Sequence, residues 1–173
     1  MTMRPGCFVV ASIAALIVGS LATRADDKKK DEAPKVELKV VTLEELEKHV
    51  ASLKGKPAAM DVWATYCVPC REKFPKFLSL AAKNKDKAAF LTLTIDEEAE
   101  HDKAKEFLGR KKATIPNFRS KEGAESIEKK FEHEGVPLYV LWDAAGKVAL
   151  KTGEFDKLEE KLKELVADKE SDK

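Results

Sequence analysis

The chain has 173 residues, of which 43% are hydrophobic and 36% are charged. This length suits one compact domain, and 8 Gly and 7 Pro are too few for a collagen-like or low-complexity chain. Because 32 basic side chains nearly balance 31 acidic ones, for a formal net charge of +1, the composition argues against a dedicated nucleic-acid-binding protein.

The first residues have the composition of a targeting segment. Arg4 is followed by an uncharged stretch, residues 5–23, whose centre is apolar. We expect residues 1–25 to be a secretory signal peptide; the alternative is an uncleaved membrane anchor, since a spanning helix needs about 20 residues. Residues 26–34 are highly charged and are expected to form a linker. The protein is therefore predicted to be exported, to the periplasm or the outer face of the cytoplasmic membrane.

Periodic patterns predict one folded domain over residues 35–168, followed by a disordered tail at 169–173. Thr42 and Glu45 have the spacing of a capping box at the start of the first helix. Strands that alternate with helices and end in a hairpin imply an α/β fold, with a mixed sheet covered by helices on both faces. In chain order, the first half has a strand near 36–40, a helix at 43–53, a strand at 58–63, a helix that follows the cysteines and runs to about residue 83, and a strand at 88–95. The second half has a helix at 101–111, an edge strand near 115–118, a helix at 120–133, a hairpin with strands at 138–142 and 148–152, and a helix at 155–166.

Two of the three cysteines lie outside the targeting segment and close together. Cys67 and Cys70 form a Cys-Val-Pro-Cys motif where a predicted strand meets a predicted helix. A disulfide that closes so short a loop stabilises the folded chain only slightly through chain entropy. We therefore expect the cysteine pair to have a chemical role rather than a structural one. Unpaired N–H groups at a helix start favour a thiolate, which makes Cys67 the expected nucleophile. Cys70, one helical turn further on, is the expected resolving thiol.

A close cysteine pair can also bind a metal or attach a haem. A structural zinc site needs four ligands, and His49, His101 and His133 lack ligand spacing. Covalent haem attachment needs a His directly after the second cysteine, where this chain has Arg71. A Cu(I) carrier stays open as the alternative function, because soft thiolates select Cu(I).

The residues around this motif resemble a known family. Residues 63–75, WATYCVPCREKFP, are similar to the active-site stretch of the thioredoxin superfamily, in its exported TlpA/ResA-like branch. Val136 and Pro137 lie in a stretch that resembles the cis-proline loop of that superfamily. The resemblance covers residues 35–168 and implies a thioredoxin-like fold, with a helix and strand inserted before the cis-proline strand.

This resemblance implies thiol-disulfide exchange with proteins that carry a disulfide or a dithiol, more as a reductant than as an oxidant. It implies a redox-active disulfide between Cys67 and Cys70 with no other cofactor and no metal, and it is compatible with an upstream electron donor in the membrane. Pro137 and Asp61 join the two cysteines as expected catalytic residues. Substrate contacts are expected from the neighbouring residues Tyr66, Val68, Pro69 and Val136.

Two residues of the predicted strand at 58–63, which precedes the cysteine motif, have both a functional and a structural interpretation. Asp61 matches the buried Asp of thioredoxins and would handle the proton of Cys70, whereas the alternative is a strand-end carboxylate that reaches solvent. Trp63 is expected to pack beneath the motif, with substrate contact as the alternative.

Overall fold

The computed structural model of the protein describes residues 36–171, with side chains through residue 167. The expected targeting segment at 1–25 and the linker at 26–34 lie outside the described residues. Within the described part, no helix is long and apolar enough to cross a membrane.

Strands and helices alternate along the described chain, and each element predicted from the sequence is present. The strands are β1 (Lys39–Val41), β2 (Ala58–Trp63), β3 (Ala89–Thr94), β4 (Asn117–Ser120), β5 (Leu138–Trp142) and β6 (Val148–Thr152). The α-helices are α1 (Leu43–Ser52), α2 (Val68–Lys83), α3 (His101–Lys111), α4 (Gly123–Phe131) and α5 (Phe155–Ser171), and a 3-10 helix spans Glu98–Glu100. The predicted capping box at the start of α1 is confirmed, because Thr42 and Glu45 each accept a hydrogen bond from the other's backbone N–H.

The strands form one sheet in the order β1-β4-β3-β2-β5-β6. The first four strands of this order are parallel, whereas β5 is antiparallel to β2 and β6 is antiparallel to β5. This arrangement confirms the predicted mixed sheet. The carboxyl ends of β2 and β3 therefore lie at the same edge as the start of β5, and Leu138 is paired with Val62.

The strand expected at the sheet edge near 115–118 is instead an interior strand. β4 is shifted to Asn117–Ser120 and pairs with β3 on one side and β1 on the other, so β1 takes the edge. All four residues of β4 are buried although three are polar, which hides the strand from hydrophobic patterning. The Asn117 side chain is accommodated because it accepts a hydrogen bond from the Thr92 hydroxyl at 2.9 Å.

The closing helix also differs from the prediction. α5 extends to Ser171, so residues 169–171 are helical rather than part of a disordered tail. No Gly or Pro follows Val166 in the sequence, and no local signal therefore stops the helix.

Helices cover both faces of the sheet. One hydrophobic cluster joins Leu46 of α1 and Ile127 of α4 to strand residues that include Val62. The other cluster joins α2 and α5 to Ala59 of β2 and to strand β5. Because side chains alternate along a strand, Asp61 lies on the same face of the sheet as Ala59, under α2 and α5.

Candidate active site

The two cysteines lie in the cysteine segment, residues 64–70, which joins β2 to the first turn of α2. Cys67 and Cys70 are linked by a disulfide, and Cys67 is the N-cap residue of α2. The Cys70 backbone N–H donates a hydrogen bond to the Cys67 Sγ at 3.2 Å. Pro69 lies in the first turn, where its missing N–H costs no helical hydrogen bond. This position favours a thiolate on Cys67 once the disulfide is reduced.

Exposed and buried residues are mixed along the cysteine segment. Tyr66 and Val68 are 67% and 51% exposed, and Pro69 is exposed as well. Cys67 is 6% exposed, whereas Cys70 is completely buried. Of the two cysteines, Cys67 is thus the one that keeps a small exposed surface, whereas Cys70 has none. The exposed neighbours are available for the contacts that the sequence predicts for them.

The Val136-Pro137 loop reaches the same edge of the sheet. The peptide bond between these residues is cis, as the resemblance implied. Pro137 directly precedes β5, where Leu138 pairs with Val62, so the loop lies level with the end of β2. Val136 is half-buried and packs against the hydrophobic cluster that contains both cysteines. The fold thus brings together two segments that are about seventy residues apart in the chain.

Asp61 is fully buried, and neither of its carboxylate oxygens has a hydrogen-bond partner in the described part of the chain. This burial excludes the alternative in which the carboxylate reaches solvent. Desolvation raises the pKa of Asp61 to about 8, so at neutral pH the carboxyl group is protonated in most molecules and ionised in a minority. Across the sheet it pairs with Tyr139 of β5, whose hydroxyl is also buried without a described partner. Burial and then the charge of Asp61 raise the pKa of Tyr139 far above its usual range.

Trp63 packs beneath the cysteine segment. Its side chain is fully buried, and its ring centroid lies 5.3 Å from that of Phe74 and 4.9 Å from that of Phe107. The structural interpretation of Trp63 is therefore the correct one.

Asp96 is a site residue that the sequence reasoning missed. Its carboxylate accepts hydrogen bonds from the backbone N–H of Thr65, at 3.0 Å to each oxygen, and from the Thr65 hydroxyl at 2.8 Å. The Thr94 hydroxyl donates to the same carboxylate. A signal was available, because Asp96 follows a predicted strand and the carboxyl ends of parallel strands meet at one edge, where binding sites of α/β sheets lie.

The histidines considered as zinc ligands lie on separate elements. His49 is on α1, His101 begins α3, and His133 follows α4. Among residues 36–167, no group of three or more His, Cys, Asp or Glu side chains is arranged to hold a metal ion.

A two-cysteine motif at the start of a helix, beside a cis-proline loop on a mixed sheet, defines a thioredoxin-like protein. The chain belongs to the Redoxin family, which matches residues 28–168. The thioredoxin domain of a thiol-disulfide oxidoreductase from Bacteroides vulgatus has the same fold, with a TM-score of 0.56 at 23% identity, over 66% of this chain and 82% of that one.

Two curated relatives confirm the resemblance to the TlpA/ResA-like branch. The chain is 32% identical to the thiol-disulfide oxidoreductase ResA of Oceanobacillus iheyensis, over 43% of this chain and 42% of the relative. It is 52% identical to the thiol:disulfide interchange protein DsbE of Pseudomonas fluorescens biotype C, over 19% of this chain and 18% of the relative. The matched part is therefore less than half the length of each relative.

Proposed function

We propose that this protein is a thiol-disulfide oxidoreductase that exchanges disulfides with protein partners through Cys67 and Cys70, as a reductant. The observation that carries this proposal is the disulfide at the start of α2, with the Cys67 sulfur as N-cap acceptor and Cys70 buried behind it. The names of both curated relatives describe the same chemistry. The reducing direction is supported by the resemblance to the TlpA/ResA-like branch.

The proposed exchange has two steps. The Cys67 thiolate attacks one sulfur of a partner disulfide, which forms a mixed disulfide and releases the other partner sulfur as a thiolate. Cys70 then loses its proton and attacks the Cys67 sulfur, which forms the intramolecular disulfide and releases the second partner thiolate. Two electrons pass to the partner, and the cysteine pair needs no further cofactor. A dithiol donor, with a membrane protein upstream, restores the reduced form.

Asp61 is the proposed proton acceptor for Cys70 in its ionised form, which a pKa of about 8 leaves as a minority of the molecules at neutral pH. Its pKa of about 8 is close to the value of an ordinary thiol, so proton transfer between the two groups is nearly balanced in free energy. Asp61 lies on the face of the sheet that α2 covers, which is the helix that carries Cys70. The proton therefore has a protein acceptor in a region that solvent does not reach.

Partner contacts are proposed for the exposed part of the site. Tyr66, Val68 and Pro69 are exposed neighbours of Cys67 in the sequence and are proposed to contact the partner, and an extended partner backbone is proposed to lie along Val136 and Pro137. The proposed compartment is outside the cytoplasm, either the periplasm or the outer face of the cytoplasmic membrane. This location is supported by the composition of residues 1–25, ahead of a linker at 26–34 and a domain at 35–168.

Insulin reduction by dithiothreitol tests the proposal directly. The full-length protein should accelerate the reaction, and Cys67→Ser should abolish the acceleration, whereas Cys7→Ser, the matched control outside the domain, should retain it. A reduction potential near −270 mV, roughly that of thioredoxin, supports a reductant, whereas one near −120 mV indicates an oxidant. No acceleration by the wild type, together with one Cu(I) bound per chain, would instead support the copper carrier.

A further inference from the structure

Asp96 links strand β3 to the cysteine segment. It lies two residues beyond the end of β3 and is only 1% exposed. Both of its oxygens accept from the Thr65 backbone N–H, and one also accepts from the Thr65 hydroxyl. Thr65 is two residues before Cys67. A single buried carboxylate thus holds the backbone that leads into the N-cap sulfur.

Backbone hydrogen bonds fix the residues on either side of Thr65. The Ile95 N–H donates to the Trp63 carbonyl at 3.0 Å, and the Cys67 N–H donates to the Ala64 carbonyl at 3.1 Å. The Asp96 carboxylate accepts the hydrogen bonds of Thr65, which lies between Ala64 and Cys67 in the chain. Hydrogen bonds to an ionised acceptor are stronger than neutral ones, so this contact constrains the turn tightly.

The charge of Asp96 also reaches the residue next to Cys67. Burial first, and then the negative charges of Asp96 and Glu128, raise the pKa of Tyr66. Tyr66 lies between Thr65 and Cys67 in the sequence. Because the Asp96 carboxylate is hydrogen-bonded to Thr65, two residues before Cys67, its negative charge lies near the motif. It disfavours a second negative charge on the Cys67 sulfur, which opposes the effect of the helix start.

We propose that Asp96 is a positioning residue that holds Thr65, and through it the Cys67 sulfur, in the geometry for exchange, and that its charge limits how readily Cys67 ionises. This inference rests on the proposed function, because the geometry matters only if Cys67 is the attacking sulfur. The side-chain hydrogen bonds of Asp96 go to Thr65 and Thr94 and not to either cysteine, so Asp96 acts through Thr65.

Asp96→Asn tests the role of the charge, because the amide keeps one oxygen acceptor for Thr65. The pKa of Cys67 is measured in the full-length reduced protein from the pH dependence of its alkylation by iodoacetamide. We expect Asp96→Asn to lower this pKa by about 0.5 to 1, because a like charge has been removed, and to make the reduction potential less negative. An unchanged pKa and potential, with only a lower free energy of unfolding, would show that Asp96 is merely structural and would overturn the proposal.

Thr65→Ala tests whether Thr65 positions the Cys67 sulfur, and it leaves the buried charge of Asp96 in place. Thr92→Ala is the matched control, since the Thr92 hydroxyl also donates to a neighbouring side chain but contacts Asn117 rather than Asp96. We expect Thr65→Ala to slow insulin reduction by roughly tenfold, because small displacements of a reacting group are costly. Thr92→Ala should keep the wild-type rate, and equal rates for the two variants would overturn the positioning role.

The two proposals fail in different ways. If the wild-type protein did not reduce insulin while Asp96→Asn still shifted the alkylation profile of Cys67, the proposed function would be wrong and the electrostatic role of Asp96 would stand. If the wild type reduced insulin and neither Asp96→Asn nor Thr65→Ala changed Cys67 alkylation or the rate, only the inference about Asp96 would be wrong.

Discussion

Asp61 makes the stability of the folded protein depend on pH. Its pKa is about 8 in the folded protein, because the carboxyl group is fully buried, whereas an unfolded aspartate titrates near pH 4. Between these pH values the folded state therefore binds more protons than the unfolded state. Stability falls with rising pH wherever the folded state holds more protons, so the free energy of unfolding should decrease from about pH 4 to about pH 8.

Asp61→Asn should remove this decrease. The variant should gain stability relative to the wild type as pH rises, by roughly several kcal/mol between pH 4 and pH 8, because the amide does not ionise. Urea unfolding of the disulfide form at pH 4, 6 and 8 measures the effect without titration of the cysteines. Tyr139→Phe is the control, since it removes the neighbouring buried hydroxyl and should leave the pH dependence in place. Parallel curves for the wild type and Asp61→Asn would contradict the buried, protonated carboxyl.

The same variant separates the two steps of the exchange. If Asp61 takes the proton of Cys70, Asp61→Asn should slow resolution of a mixed disulfide on Cys67 by about tenfold or more, since general base catalysis contributes at least that much. Alkylation of Cys67 at neutral pH should remain nearly unchanged. Stopped-flow release of a coloured thiol from a preformed mixed disulfide measures resolution. Equal slowing of both reactions would indicate general misfolding instead.

At the residue scale, the sequence predicts the side chains that carry a chemical signature. The spacing of Cys67 and Cys70 led to the two cysteines, and the resemblance to thioredoxins led to Asp61, an acid on an apolar strand. Asp96 was missed because its partner, Thr65, lies in another segment. Their contact depends on the parallel register of β2 and β3, in which Trp63 pairs with Thr94, and no local pattern encodes that register.

Three elements meet in an aromatic cluster beneath the cysteine segment. Trp63 of β2, Phe74 of α2 and Phe107 of α3 have ring centroids 4.9 to 5.3 Å apart. All three side chains are buried. α3 therefore supports the strand and the helix that hold the cysteines, although it carries no residue proposed for the exchange itself.

Phe107→Ala should lower the free energy of unfolding by about 3–5 kcal/mol, because it removes a large buried ring and leaves a cavity. Chemical denaturation of the disulfide form measures this loss. Lys105→Ala on the exposed side of the same helix is the control and should change stability by less than about 0.5 kcal/mol. A cost below 1 kcal/mol for Phe107→Ala would mean that α3 does not support the site.

At the element scale, most of the structure follows from local signals. The bounds of β2, β5 and α3 agree with the predicted ones, because apolar runs, turn residues and helical spacing all mark the same limits. The strand near 115–118 was predicted at the edge, whereas β4 is an interior strand whose buried polar residues, Asn117, Arg119 and Ser120, do not have the pattern of one. Their burial depends on neighbours that only the sheet supplies.

At the scale of the whole molecule, three segments that are far apart in the sequence lie at one edge of the sheet. The cysteine segment follows β2, Asp96 follows β3, and Pro137 precedes β5. Parallel pairing of β2 with β3 and antiparallel pairing of β2 with β5 bring these ends together. The elements predicted from the sequence indicate a mixed sheet, and the family resemblance implies its topology. The insertion of β4 between β1 and β3 was established by the structure.

The central claim is that Cys67 attacks partners and Cys70 resolves the product, and covalent trapping tests it most directly. Each single serine variant of the full-length chain is expressed in cells, thiols are quenched with acid, and adducts are separated on a non-reducing gel. Cys70→Ser should accumulate adducts with partner proteins that dithiothreitol releases, because the mixed disulfide on Cys67 is no longer resolved, whereas Cys67→Ser should accumulate few or none. Equal adducts with both variants, or none with either, would contradict this assignment of the two sulfurs.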